Sequence, residues 1–368
     1  MFRIACFAGK ASEISFHENR DLRARELRPK IGNTHRVFLL SGAVDCSKLQ
    51  NALHRLVLRH EALRTHFVKT NDGSFVRRVS ATADVMVTHL DLTDFGPDDE
   101  VVKQFLGKAA AEGIGAQDYP LVKVRLLNLS HDRSIFFLTI AETVADGKSA
   151  TMLVKELGEL YVEQAGGKTA NLPPLEYQLS DFVASQNAWM KTQEYKNNLQ
   201  RICGKLNASL QASGGMEQLF FAPTSQESFL IRREFPHEFS EQVFRLATSL
   251  GVSAPTILMV ASVITTARAR EIPHIFFTTT FSNRHFAGVA NIVGHLATTV
   301  PGFLDLRVEG KLSQHAKNLH RDLFAAMSQH GLTPIQEIGR EVTQLFPPLP
   351  SGASIKFGKV VADVVMQP

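Results

Sequence analysis

Apolar and polar positions along this chain switch repeatedly between two periods. His35–Gly42 is a nearly continuous apolar run closed by a glycine and predicts a strand. Asp45 then stands where a helix cap is needed, and Leu49, Ala52, Leu53, Leu56 and Val57 follow on one helical face. Ser74–Ser80 and Val85–Leu92 read as short strands of a meander, and Glu100–Glu112 as a helix. Leu121–Leu129 and Ser134–Ala141 are apolar strands around the turn residues Ser130-His131-Asp132-Arg133. After Ala145-Asp146-Gly147 the period turns helical, with Leu153, Leu157, Leu160 and Tyr161 on one side, ending at Gly166-Gly167.

Residues 166–180, with two glycines and Pro173-Pro174, make the best linker in the sequence. A long polar-rich helix is expected from Leu179 to Ala208, carrying Trp189. The alternation then repeats: a strand at Ser228–Phe235, helices at Glu238–Leu250 and Thr256–Arg270, a strand at Ile275–Phe281 and a helix at Leu312–Gln329. The expected organisation is therefore a mixed α/β protein of two packed lobes, 1–165 and 181–368, joined by 166–180.

Composition narrows the function classes. At 368 residues, 44% hydrophobic and 21% charged, the chain can bury a sizeable core. The formal charge of +4 is spread among interleaved acids and bases, which argues against a nucleic-acid surface. Cys6, Cys46 and Cys203 have no metal-type spacing and read as reduced thiols of a cytoplasmic protein. No window approaches a membrane span, and the short apolar start does not read as a secretory signal. A monomer without metal is expected.

The candidate chemistry lies in Ile140–Ser149, IAETVADGKS, where a buried strand feeds a helix and can present side chains into a cleft. Four stretches, in order, carry a resemblance. Arg59–Phe67, RHEALRTHF, is similar to the arginine-rich motif of nonribosomal-peptide condensation domains. These belong to the wider chloramphenicol-acetyltransferase-like superfamily. Asp146-Gly147 matches the end of their His-His-x-x-x-Asp-Gly motif, but the histidine positions hold Ala141 and Glu142. Asp181–Trp189 resembles the start of the helix leading into their second lobe. Phe281–Pro301 resembles their Asn-Arg…Val-Gly…Asn…Pro segment through Asn283-Arg284, Val293-Gly294 and Pro301, with Thr298 or Thr299 where asparagine is usual. Their N-terminal motif is barely recognisable near Ser12–Asn19, and the chain stops early, shortly after FGKVVADVV.

The resemblance implies two acyltransferase lobes forming a V with a central tunnel, and a role beside a nonribosomal-peptide or related assembly line. Acyl or peptidyl carrier proteins would be the partners, and their phosphopantetheine arms would deliver tethered substrates; no intrinsic cofactor is implied. In the family the second histidine deprotonates or orients the attacking amine or hydroxyl, work that suits a neutral imidazole. Glu142 stands there instead, a weak base unless burial raises its pKa. Two readings remain: a fold impaired in ordinary condensation that serves as a platform, or an atypical enzyme using Glu142 for acyl transfer, dehydration or cyclisation. A free-standing acyltransferase acting on a small acceptor is a third.

Asp146 is implied to be structural, held by Arg64 or Arg284 through a charge-assisted bond, and a plain helix N-cap fits it equally. Gly147 serves the strand-to-helix turn or a close backbone approach. Ala141, Ser149, Asn283 and His285 are candidates for the channel wall. His60, His66, His285 and His295 fall inside the matched motifs, where a lone histidine is more often packed than catalytic. His285 or His295 can act as a base only if the fold brings it to the site. Ser149 lacks a Gly-x-Ser-x-Gly setting, and phosphate-cradling glycine motifs are absent.

Overall fold

The computed structural model of the chain describes residues 4–5, 13–28, 30–115, 117–212, 235–269, 271, 273–306, 311–330 and 332–344. Two compact units emerge. The first contains residues 1–191 and 282–297; the second contains 192–281 and 298–368. The sequence placed the division at 166–180. In the structure the next helix stays with the first unit, and the 282–297 segment returns to it from the second.

The first unit is organised by a sheet of order β1-β6-β5-β4, where β1 is Asn33–Ser41, β4 Val87–Asp91, β5 Val122–Ser130 and β6 Arg133–Ala141. β6 is central and buried on both faces from Ser134 to Ala141, which explains its unbroken apolar run. It pairs antiparallel with β1 in the register Asn33↔Ala141, and the ladder continues one step beyond, where Glu142 N donates to Gly32 O at 2.8 Å.

Helices cover both faces. Leu53 and Leu56 of α2 (Cys46–Arg59) and Leu153 and Leu157 of α4 (Gly147–Gln164) meet Val122, Val124 and Leu138 on one side. Val102 of α3 (Glu100–Glu112) meets Leu127, Leu129 and Ile135 on the other. The five apolar positions expected on the inner face of α2 are all buried, and Asp45 caps it through Ser47 N and Lys48 N. At the same end, directly after the cap, Cys46 is a free, half-buried thiol.

The expected meander does not form. β3 (Phe75–Val79) pairs with β2 (Thr65–Lys69), whereas β4 joins β5 in parallel, with α3 as the crossover such a pairing needs. The helix expected over Leu179–Ala208 is broken into α5 (Leu179–Met190) and α6 (Gln193–Ala212), because Thr192 Oγ1 accepts from Tyr195 N and starts a new helix. In the second unit, β7 (His274–Phe281) and β8 (Thr298–Asp305) form an antiparallel pair. Phe277 and Leu304 from these strands pack with Val260 and Val263 of α8 (Ala254–Ala269) and Leu319 of α9 (Leu312–His330). α7 (His237–Leu250) precedes them, and α10 (Ile335–Gln344) follows. Most of the strand expected at Ser228–Phe235, together with Cys6 and the final FGKVVADVV, lies outside the described residues. Among those described, no single helix is long and apolar enough to cross a membrane.

One element went unread in the sequence. α1 (Phe16–Leu27) begins with a capping box, Ser15 Oγ accepting from Glu18 N and Glu18 Oε2 from Ser15 N. Its buried residues are His17, Glu18, Leu22 and Arg25, so the face turned inward is mostly polar. Arg77, with a side chain shut off from solvent, completes the burial by pairing with Glu18 at 2.5 Å.

Candidate functional site

The site is built within the first unit, around the turn that follows β6. Ala141 closes the strand fully buried; Glu142 is half-buried, and Thr143 to Asp146 are buried. Asp146 then caps α4, its Oδ1 accepting from Ser149 N at 2.8 Å. Arg284 meets the same carboxylate with two guanidinium nitrogens, Nη1 to Oδ2 at 2.9 Å and Nη2 to Oδ1 at 3.0 Å. Oδ2 also accepts from Leu296 N and Ala297 N at 3.2 and 3.1 Å. Burial alone would raise the Asp146 carboxyl; the Arg284 charge and these bonds outweigh it and hold the group below its ordinary value.

The remaining candidates sort around this knot. Ser149, fully buried, accepts from Gly294 N and donates to Gly294 O, which makes it a structural tie between α4 and the 282–297 segment. Asn283 is fully buried with φ 57°, a left-handed conformation asparagine tolerates, and its Nδ2 donates to Leu296 O at 2.7 Å. The turn at Asn283 thus aims Arg284 at Asp146. Gly147 is exposed, with an ordinary helical start, and its carbonyl accepts from Arg36. Arg64 is the alternative that does not arrive: its guanidinium donates to the carbonyls of Val57, Leu58, Ser80 and Ala81, stitching its own loop. His285 is exposed against Phe286. His60 is buried on Glu156.

Beside the expected turn lies a cluster that the motif comparison missed. His17, Asp21 and Arg25 recur every four residues along one stripe of α1. Asp21 Oδ2 lies 2.7 Å from Nδ1 of His295, whose side chain is 10% exposed. The ring of buried His17 stacks on that of His295, centroids 4.8 Å apart and planes 16° apart. One turn further on, Arg25 donates to the carbonyls of Gly32 and Ile114. A side chain at Gly32 would meet Glu142 Oε2 at 3.5 Å and Arg25 Nη2 at 3.6 Å, so both charged heads border the same glycine.

Burial raises the Asp21 carboxyl, but the hydrogen bond and charge of His295, with Arg20, bring it down to about 2. His17 is driven the other way, well below the usual histidine value, by burial and then by the charges of His295 and Arg20. The signal available in sequence was the spacing of His17, Asp21 and Arg25; their partner is 274 residues from Asp21.

Comparisons with known proteins identify relatives of the chain. A tyrocidine synthase 3 from Brevibacillus parabrevis is 29% identical over 276 residues, covering 73% of this chain and 4% of that protein. Gramicidin S synthase 2 from Brevibacillus brevis is 25% identical over 281 residues, again 73% of this chain and 6% of the relative. The chain thus spans only about a twentieth of the length of these relatives. Among solved structures, the first condensation domain of the calcium-dependent antibiotic synthetase aligns with a TM-score of 0.77 at 16% identity, over 93% of this chain and 78% of that one. The X-domain in complex with OxyB from teicoplanin biosynthesis aligns at 0.67 and 18%, over 92% and 75%. These structural likenesses establish the fold, the chloramphenicol-acetyltransferase-like one expected from the motifs. A family model described as the condensation domain matches residues 26–345, and the chain belongs to that family.

Proposed function

We propose that this chain is a condensation-domain-like component of nonribosomal-peptide or related biosynthesis that receives acyl or peptidyl groups tethered to a carrier protein and is impaired in ordinary amide-bond condensation. The second half is carried by β6, which ends in a fully buried, inert Ala141 followed by a half-buried carboxylate at Glu142, the two residues that the motif reading aligns with the family's histidines. The Asp146–Arg284 pair beside them is intact, so the scaffold of the site persists where its base is replaced.

The chain belongs to the condensation-domain family and has its fold, which supports a binding role for carrier-tethered substrates. The X-domain matched above is, by its own description, in complex with OxyB, a precedent for a member of this fold forming such a complex. A second reading, Glu142 as an acid or base in an atypical acyl transfer, dehydration or cyclisation, draws on the half-buried carboxylate at the strand end.

The test mixes the purified chain with an acyl-loaded donor carrier and an aminoacyl-loaded acceptor carrier and follows both by mass spectrometry. Saturable carrier binding with amide product at background is expected. Amide formation at the rate of a histidine-bearing condensation domain assayed alongside, or no binding of either carrier, overturns the reading.

A further inference from the structure

The pair Asp21–His295 has the layout of an acid–base dyad. A carboxylate held at about 2 is ionised at neutral pH and accepts hydrogen bonds only, so His295 Nδ1 carries the hydrogen between them. Whenever the ring is without its second proton, the lone pair is therefore on Nε2, the nitrogen turned away from Asp21. This division of labour, with a carboxylate fixing tautomer and ring and the distal nitrogen free to take a proton, is how imidazole becomes a general base in acyl transfer. The His17 ring stacked on one face restrains the ring's tilt, and being kept neutral by burial it does so without adding a charge.

Position also matters. Arg25 follows Asp21 by one helical turn, about 6 Å along the axis, and its head borders the same glycine as Glu142. The residue before His295 also meets the turn after β6, since the Gly294 carbonyl accepts from Asp146 N and from Ser149 Oγ. The charged and titratable groups facing it from α1 are His17, Asp21, Arg20 and Arg25, with Glu142 beside the last.

We propose that His295, positioned by Asp21 and His17, is the general base of this chain and transfers a thioester-bound acyl group to the oxygen of water or a hydroxyl. Nε2 takes the proton of the attacking O–H as the carbon–oxygen bond forms. The carbon–sulfur bond then breaks, and the imidazolium returns the proton to the departing pantetheine thiolate, leaving ester or acid plus free thiol. An O–H nucleophile is the weak kind that needs such a base. The proposal rests on the functional reading above only for its substrate, a pantetheine thioester.

The experiment measures thiol release from octanoyl-pantetheine by the full chain between pH 5 and 9, with carrier binding measured in parallel. Release above the buffer blank is expected, and His295→Gln, which keeps a polar side chain, should lower kcat by about 100-fold or more. Asp21→Asn should lower kcat with KM little changed and move the low-pH limb of the profile to lower pH, because the anion stabilising the imidazolium is gone. A purely structural Asp21 would move neither. Wild-type release at the blank level, or unchanged release by a folded His295→Gln, overturns the dyad; loss of carrier binding alone overturns the broader reading and leaves thiol release to decide this one.

Discussion

Two aspartates grip the same 282–297 segment, and they do so differently. Asp146 receives both nitrogens of Arg284 and three backbone N–H groups, from Ser149, Leu296 and Ala297, which uses up the lone pairs of a carboxylate. Asp21 receives Arg20 on one oxygen and His295 on the other. Both carboxyls are held below their ordinary values. Their partners set them apart: a guanidinium keeps its proton under all working conditions, whereas an imidazole exchanges one near neutral pH. The first carboxylate fixes the segment in place, and the second orients an imidazole on it.

The sharpest way to break this contrast is to remove the guanidinium. Arg284 and Asp146 have side chains only 6% and 5% exposed, so Arg284→Ala strands a buried carboxylate with part of its bonding lost. Truncating one partner of such a pair costs about 3–5 kcal/mol. Urea denaturation should show a large fall in midpoint, and thiol release should fall with it, since Leu296 and Ala297 are tied to the same carboxylate that Arg284 holds. A variant with an unchanged midpoint would mean that the knot does not anchor the segment.

Acid titration separates the two aspartates next, with a smaller effect. The Asp21 carboxyl, at about 2 in the folded chain, returns to near the ordinary aspartate value of 3.8 on unfolding. Its contribution, about 2 kcal/mol by linkage, is complete above pH ~4 and is lost as pH falls through the folded value. His17 acts at higher pH. Its folded pKa is depressed, so the unfolded chain binds the proton first, and stability declines as pH drops below the ordinary histidine value of about 6.5. Thermal melts from pH 8 to 3 should therefore show an early decline that His17→Phe abolishes and a later one that it leaves in place. A single decline near pH 4 in both proteins would remove His17 from the account.

How far the sequence could be read follows the chemistry of each face. α2 was predicted with its cap and its five buried residues because its inner face is apolar and 3.6-periodic. The Asp146–Arg284 pair was foreseen as one of two options because both residues sit inside recognisable motifs; Arg64 lost out because backbone carbonyls nearer in the chain take its donors. α1 was missed because it buries His17, Glu18 and Arg25 in place of apolar side chains, satisfied by Arg77, by backbone carbonyls and by one another. A hydrophobic pattern has nothing to register there. The Asp21–His295 contact was out of reach for the same reason, since pairing polar residues that far apart requires the fold first.

The smallest expected effect bears on which carboxylate matters. Glu142 is half-buried, and its backbone N–H, not its side chain, continues the β1–β6 ladder by donating to Gly32 O. Glu142→Gln keeps that bond and the side chain's shape and removes one charge beside Arg25, whose guanidinium is already engaged by the carbonyls of Gly32 and Ile114. Stability should change by no more than about 0.5 kcal/mol, the usual range where no buried network is broken. If His295 is the base, thiol release from octanoyl-pantetheine should likewise stay within about twofold of wild type, against the far larger loss expected of a general base. Abolished release in a Glu142→Gln protein that melts normally would transfer the chemistry to the strand end, make Glu142 the working carboxylate and leave the Asp21–His295 pair as a second structural tie.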